Sequence, residues 1–197
     1  MNRLSFIERN ERQIVYAELA ENYNVDDVYD LLHRDLLLRK DLIATAESCT
    51  GGMVAAELSA RSGSSAYLYG GVVVYANHAK HNLLGVSPYD IRDHGAVSEE
   101  VCIQMLKGVF ETCPAQIAVA VTGIAGPNGG TATKPVGTVW IGVAIRGKNE
   151  PALRMQRLHN FKGDRAEIRE ASVLNTGLMV LELFARKQNA IDTLSAL

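Results

Sequence analysis

Cysteine is scarce. The three cysteines, Cys49, Cys102 and Cys113, are odd in number and include no Cys-x-x-Cys pair, which excludes a disulfide framework and a zinc ribbon. Such usage fits a reducing cytosol, and a cytoplasmic protein is expected. Long hydrophobic runs are missing too, so no segment is built to span a bilayer. The first ten residues, Met-Asn-Arg-Leu-Ser-Phe-Ile-Glu-Arg-Asn, lack the apolar stretch of a signal peptide. Charge of one sign is absent as well. The formal net charge is −2 with both signs scattered, and no basic stripe offers a nucleic-acid footprint. Several motifs are also missing: Gly-x-x-x-x-Gly-Lys-Ser/Thr, Gly-x-Gly-x-x-Gly, the Gly-x-Ser-x-Gly elbow, and any His/Asp/Glu cluster with metal spacing. A P-loop, a dinucleotide Rossmann site, an α/β-hydrolase and a metal centre are therefore unsupported, and no cofactor is expected.

What is present is a chain of 197 residues, 47% hydrophobic, enough to bury a real core in one domain. Residues 1–40 read as two amphipathic helices. Leu4, Ile7, Ile14, Val15 and Leu19 give one stripe, and Val25, Val28, Leu31, Leu32 and Leu36 the other. His33 reads as a surface or interface residue of the second. A buried strand over 41–46 leads into Ser48-Cys49-Thr50-Gly51-Gly52 and a helix over 51–60, with Thr50 as its N-cap. The Val72–Tyr75 run predicts a strand, and the preceding Gly70-Gly71 a bulge or close backbone contact. Asn77–Leu84 reads as a short helix stopped by Gly85 and Pro88. Ser98 caps a helix over 99–112, and Gln116–Val121 is a strand feeding the Gly-rich loop after Thr122. Gly137–Ile145 and about 152–160 read as a hairpin across Arg146-Gly147-Lys148-Asn149. Asp164 with Glu167 forms a capping box that opens the last helix, and the final ten residues read as frayed. The fold class is thus α/β: a three-layer sandwich around a mixed, partly parallel sheet, with an N-terminal helical extension.

Three segments fall at equivalent strand ends. Ser48 follows the first strand, Tyr75 and Asn77 the second, Thr122 and Gly123 the third. Ligands of α/β sheets bind beyond the carboxyl ends of strands, so these segments are expected to share one cleft. A serine hydroxyl needs a base. Lys80, one turn into the helix after the second strand, can serve if burial suppresses its charge, or it can be a solvated helix residue. Tyr75 could also point at the turn. Cys49 is either a competing nucleophile or a small buried hydrophobe. His78, His81, His94 and His159 are read as surface or structural residues. The free amides of Thr50, Gly51 and Gly52 could bind a phosphate or an oxyanion. Arg165 either belongs to a helix cap or meets a substrate phosphate.

Thr45-Ala46-Glu47-Ser48-Cys49-Thr50-Gly51-Gly52 resembles the signature of the CinA C-terminal domain family, the nicotinamide-nucleotide amidases. The likeness continues through Gly70–Tyr75 with Asn77 and Lys80, His94–Ser98, Val121–Pro127 with Gly129-Gly130, Lys134–Val139, and Phe161 with Gly163-Asp164-Arg165. It covers about residues 35–185. The resemblance implies hydrolysis of the carboxamide of nicotinamide mononucleotide to nicotinic acid mononucleotide and ammonia, in pyridine-nucleotide recycling. It implies Ser48 as nucleophile and Lys80 and Tyr75 as proton-transfer groups, with the base between them open. Thr50, Gly51, Gly52, Asn77, Thr122, Gly123 and Arg165 would bind substrate. The expected division is a helical extension at 1–34, the amidase domain at 35–188 and a frayed tail at 189–197. The separate N-terminal domain of longer CinA proteins is not seen here, and its pyrophosphatase-type activity is expected to be absent. The expected partner is a small nucleotide, with no nucleic acid and no membrane. The amphipathic N-terminal helices and the last helix offer faces for a homo-oligomer. The competing readings are a non-catalytic nucleotide-binding module and a scaffold linked to competence or DNA damage.

Overall fold

The structure, a computed structural model, describes residues 22–147 and 151–195, with side chains through 188. Its helices are α1 (Val25–Arg39), α2 (Met53–Ser59), α3 (Asn77–Leu84), α4 (Pro88–His94), α5 (Glu99–Thr112) and α6 (Arg165–Ser195). Its strands are β1 (Ile43–Glu47), β2 (Leu68–Val73), β3 (Ile117–Gly123), β4 (Thr138–Ile145) and β5 (Leu153–Asn160). They form one sheet in the order β2-β1-β3-β4-β5. β1 runs parallel to both β2 and β3, whereas β3–β4 and β4–β5 are antiparallel. This is the mixed sheet the sequence predicts. The carboxyl ends of β1, β2 and β3 consequently emerge side by side.

Two chemically different faces explain the layers. β3 alternates Ile117, Val119 and Val121 with Ala118 and Ala120, and every one of these side chains is buried. The branched set packs with Ile43, Val139 and Ile141 under α1, α2 and α6. The alanine set, with Ala44, Ala46 and Ala144, packs under α3 and α5. Small residues on that face let α5 come close. A Cβ on Gly142 of β4 would lie 2.8 Å from Cys102 Sγ and 2.9 Å from Leu106 Cδ1. Gly71 of β2 makes the close backbone contact expected for it, since a Cβ there would press on the Thr45 hydroxyl and sit 3.2 Å from Ala55 Cβ.

The caps at Ser98 and Asp164 are as expected. Ser98 Oγ accepts from Val101 N at 3.3 Å, and Asp164 Oδ1 from Ala166 N at 2.7 Å and Glu167 N at 3.0 Å. Two details differ. The segment after Gly85 is not a simple stop: Pro88 occupies the first turn of α4, where its missing N–H is harmless, and Ser87 caps it. Thr50 is not an N-cap. Gly52 takes that position at φ 98° with no capping side chain of its own. The N-terminal helix α1 is present as expected, and it packs Val28, Tyr29, Leu32 and Leu36 into the same core as the sheet. α6 extends to Ser195. The expected helix over Leu4–Leu19 lies outside the described residues. Among the described residues, no helix is long and apolar enough to cross a membrane.

Candidate active site

Ser48 stands immediately beyond β1, its N–H extending the ladder to Val121 O at 2.9 Å. The turn that presents it is built by Glu47. This carboxylate is fully buried, and its oxygens accept from Gly52 N (3.0 Å), Val54 N (3.1 Å), Ala55 N (2.9 Å) and the Thr45 hydroxyl (3.2 Å). Glu47 therefore caps α2 from the preceding strand, an anion at the positive end of a helix. Sequence reasoning passed over this residue. Its signal was a lone carboxylate ending an apolar strand just before Gly-Gly, a charge that must find N–H donors if it is buried.

Lys80, on α3, is 2% exposed. Its Nζ lies 3.0 Å from Ser48 Oγ and donates to Val74 O at 2.9 Å. Burial pulls its pKa below the ordinary 10.5, and Cys49 nearby opposes the shift only in part. A lysine drawn toward neutrality beside a serine has the arrangement that a nucleophile–base pair requires. Tyr75 is placed differently. It is half-exposed at the cleft mouth, and its hydroxyl accepts from Arg165 Nη2 at 2.7 Å. Arg165 also donates through Nη1 to Gly126 O at 2.8 Å, tying the start of α6 to the Gly-rich loop. Burial pushes the Cys49 thiol up to about 11, against the backbone N–H groups of Cys49 and Thr50 that favour the thiolate. At neutral pH it stays protonated, and the small-hydrophobe reading of Cys49 is the one its surroundings fit.

A cleft of about 230 Å³ brings together Ser48, Cys49, Tyr75, Asn77, Lys80, Thr122, Gly123 and Arg165. Thr122 Oγ1 is spent on Ala96 O at 2.7 Å. Gly123 is set by packing, since a Cβ there would sit 2.6 Å from Val139 Cγ2 and 3.0 Å from Cys49 Sγ. Thr50, Gly51 and Gly52 do not line this cleft. The Gly51 and Gly52 amides serve Ser48 O and Glu47, and Thr50 O accepts from Arg169 Nη2 at 2.8 Å. They support the serine from behind, because Glu47 claims the α2 amides that an anion would otherwise use. None of the histidines lines the cleft. His33 meets Tyr67 Oη at 3.1 Å, and His159, which burial lowers to about 4, stacks on Phe161. A second cleft of about 400 Å³ lies between α1, α2 and α6, with Met53, Glu57 and Arg169 in its walls, but it contains no nucleophile. Among the described residues, no three His, Cys, Asp or Glu side chains are grouped to hold a metal ion.

The CinA C-terminal domain profile matches residues 26–184. A CinA-like protein of Mycolicibacterium vanbaalenii is 54% identical over 136 residues, 69% of this chain and 31% of that protein. A CinA-like protein of Geobacter sp. is 45% identical over 162 residues, 82% of this chain and 37% of its own length. The chain thus spans about a third of the length of these curated relatives. Among solved structures, the competence/damage-inducible protein CihA of Agrobacterium tumefaciens superposes with a TM-score of 0.76 at 38% identity, covering 81% of this chain and 94% of that one. The competence damage-inducible protein ComA of Klebsiella pneumoniae gives 0.77 at 34% identity, covering 83% and 98%. On this sequence match and this shared fold, the chain belongs to the CinA C-terminal domain family.

Proposed function

We propose that the cleft hydrolyses the carboxamide of nicotinamide mononucleotide, releasing ammonia and nicotinic acid mononucleotide in pyridine-nucleotide recycling. The observation that carries this reading is the buried contact of 3.0 Å between Ser48 Oγ and Lys80 Nζ. Neutral Lys80 takes the hydroxyl proton as Ser48 Oγ bonds to the amide carbon. The resulting ammonium, held by Val74 O, returns that proton to the nitrogen as the C–N bond breaks and ammonia leaves. Water then attacks the acyl-Ser48 ester with Lys80 again as base, and the Lys80 ammonium returns that proton to Ser48 Oγ as the ester C–O bond breaks and the acid leaves. Arg165 at the mouth supplies the cation for the phosphate. Tyr75, Asn77 and Gly123 present hydroxyl, amide and backbone to the ribose and ring, and Thr122, tied to Ala96 O, shapes the wall beside them.

The relatives' names speak of competence and damage induction, but a net charge of −2 without a basic stripe gives no support to a DNA-binding role. The test is ammonia release from nicotinamide mononucleotide by wild type and Ser48→Ala, with a chelator present. Release by wild type alone supports the serine amidase. Binding without product from either protein favours a non-catalytic nucleotide-binding module.

A further inference from the structure

We propose that Lys134 is a positioning residue that locks one wall of the cleft, a role that rests on the amidase reading above. Lys134 belongs to the Gly-rich connection between β3 and β4. The base of that connection is closed by Ile124 N to Thr138 O and Gly137 N to Ile124 O, both at 2.8 Å. Lys134 itself sits in a tight turn, its carbonyl accepting from Thr131 N at 2.8 Å and its N–H donating to Thr131 Oγ1 at 3.0 Å. The backbone of the lysine is thereby fixed, and its side chain reaches out of the loop altogether.

The Lys134 ammonium donates to His94 O at 2.6 Å and to Val97 O at 2.7 Å. His94 ends α4, where unpaired carbonyls favour a cation, and Val97 immediately precedes the Ser98 cap of α5. Between these two carbonyls, Ala96 O accepts the Thr122 hydroxyl. Gly95 takes φ 80°, and a Cβ there would lie 3.3 Å from Lys134 Nζ, so the turn is shaped around the ammonium. Ala96 and Val97 line the cleft with Ser48, and so do Gly126, Asn128 and Gly129 from the connection that carries Lys134. One charge therefore joins two separate pieces of the substrate's enclosure. Closing so long an irregular connection costs chain entropy, and hydrogen bonds from a charged donor offset it strongly. Ser48, just beyond β1, and Lys80, on α3, stand outside both pieces. Loss of the lock should therefore weaken substrate capture and leave the chemical step alone.

The test compares Lys134→Met, Lys134→Gln and Lys134→Arg with wild type. KM and kcat are measured for nicotinamide mononucleotide, and amide hydrogen exchange of residues 94–98 is followed in the substrate-free protein. Lys134→Met is expected to raise KM roughly ten- to a hundred-fold, to hold kcat within about two-fold, and to speed exchange at 94–98. Lys134→Arg, which keeps charge and several donors, should restore most of both properties. If Lys134→Met does not fold, Lys134→Gln carries the same comparison. Unchanged exchange at 94–98, or a fall in kcat at constant KM, overturns the lock. Absence of product from wild type overturns the amidase reading, and the exchange data then decide the lock alone.

Discussion

Lys80 is the residue on which the chemistry and the stability meet. Its side chain is 2% exposed and its burial disfavours the ammonium. Only the neutral amine can accept the Ser48 proton, so turnover should rise with pH through the lowered pKa of Lys80 and level off above it; a flat profile across that range would exclude it as base. The same shift acts on folding. Because the folded-state pKa lies below the unfolded 10.5, the unfolded chain binds more protons between the two values. Wild-type stability should therefore gain on Lys80→Met as pH rises through that window, with a constant difference below and above it. Urea unfolding of both proteins from pH 7 to 10 measures this slope. Ser48→Ala should keep the fold and lose at least ~10³-fold in kcat/KM by steady-state assay. Ser48 and Lys80 were legible as types at strand and helix positions. What sequence left open was the choice between Lys80 and Tyr75, because a hydroxyl and an ammonium on neighbouring turns look equally able to reach the serine. The fold places them differently: Tyr75 Oη is bonded to Arg165, and Lys80 Nζ to Ser48.

At the scale of elements, the junction of β1 and α2 depends on one carboxylate. Glu47 satisfies three amides of the α2 N-terminus and the Thr45 hydroxyl while itself leaving solvent entirely. Glu47→Ala orphans those donors and should cost about 2–4 kcal/mol in urea unfolding. Kinetic loss should accompany it, because the Ser48 turn hangs on the same bonds. A variant of wild-type stability would show that other groups hold the turn. The sequence misled here because Thr50, a good capping type next to Gly-Gly, draws the eye from a glutamate in the strand. α4 was missed for a related reason. Gly85 ends α3, and Pro88, which reads as a further stop, starts the next helix in the first turn after Ser87. The close approach of α5 to the sheet was not legible either, since it needs Gly142 placed opposite Cys102 and Leu106. Gly142→Ala should overpack that contact and cost about 1–3 kcal/mol by the same measurement.

Over the whole molecule, the alternation of strand and helix patterns predicted a mixed sheet, and the convergence of three strand ends followed from it by a general rule. The rest of the site comes from pairings distant in sequence, which local patterns do not encode. Arg165 meets Tyr75 across 90 residues, and Arg169 meets Thr50 across 119. Both arginines stand one turn apart at the start of α6, so a single long helix, packed on β4 and β5, delivers a cation to the cleft mouth and braces the serine turn from behind. This gives Arg165 a role that can be separated from the chemistry. Its guanidinium donates to two neutral acceptors, Gly126 O and Tyr75 Oη, and a substrate phosphate would offer it a stronger one. Arg165→Met should then raise KM for nicotinamide mononucleotide about ten- to a hundred-fold. KM for nicotinamide riboside, which lacks the phosphate, should be nearly unchanged. Added salt should erode the wild-type preference for the mononucleotide and not that of the variant. If both substrates lost equally, Arg165 would be serving the fold through Gly126 and Tyr75 rather than reading the phosphate.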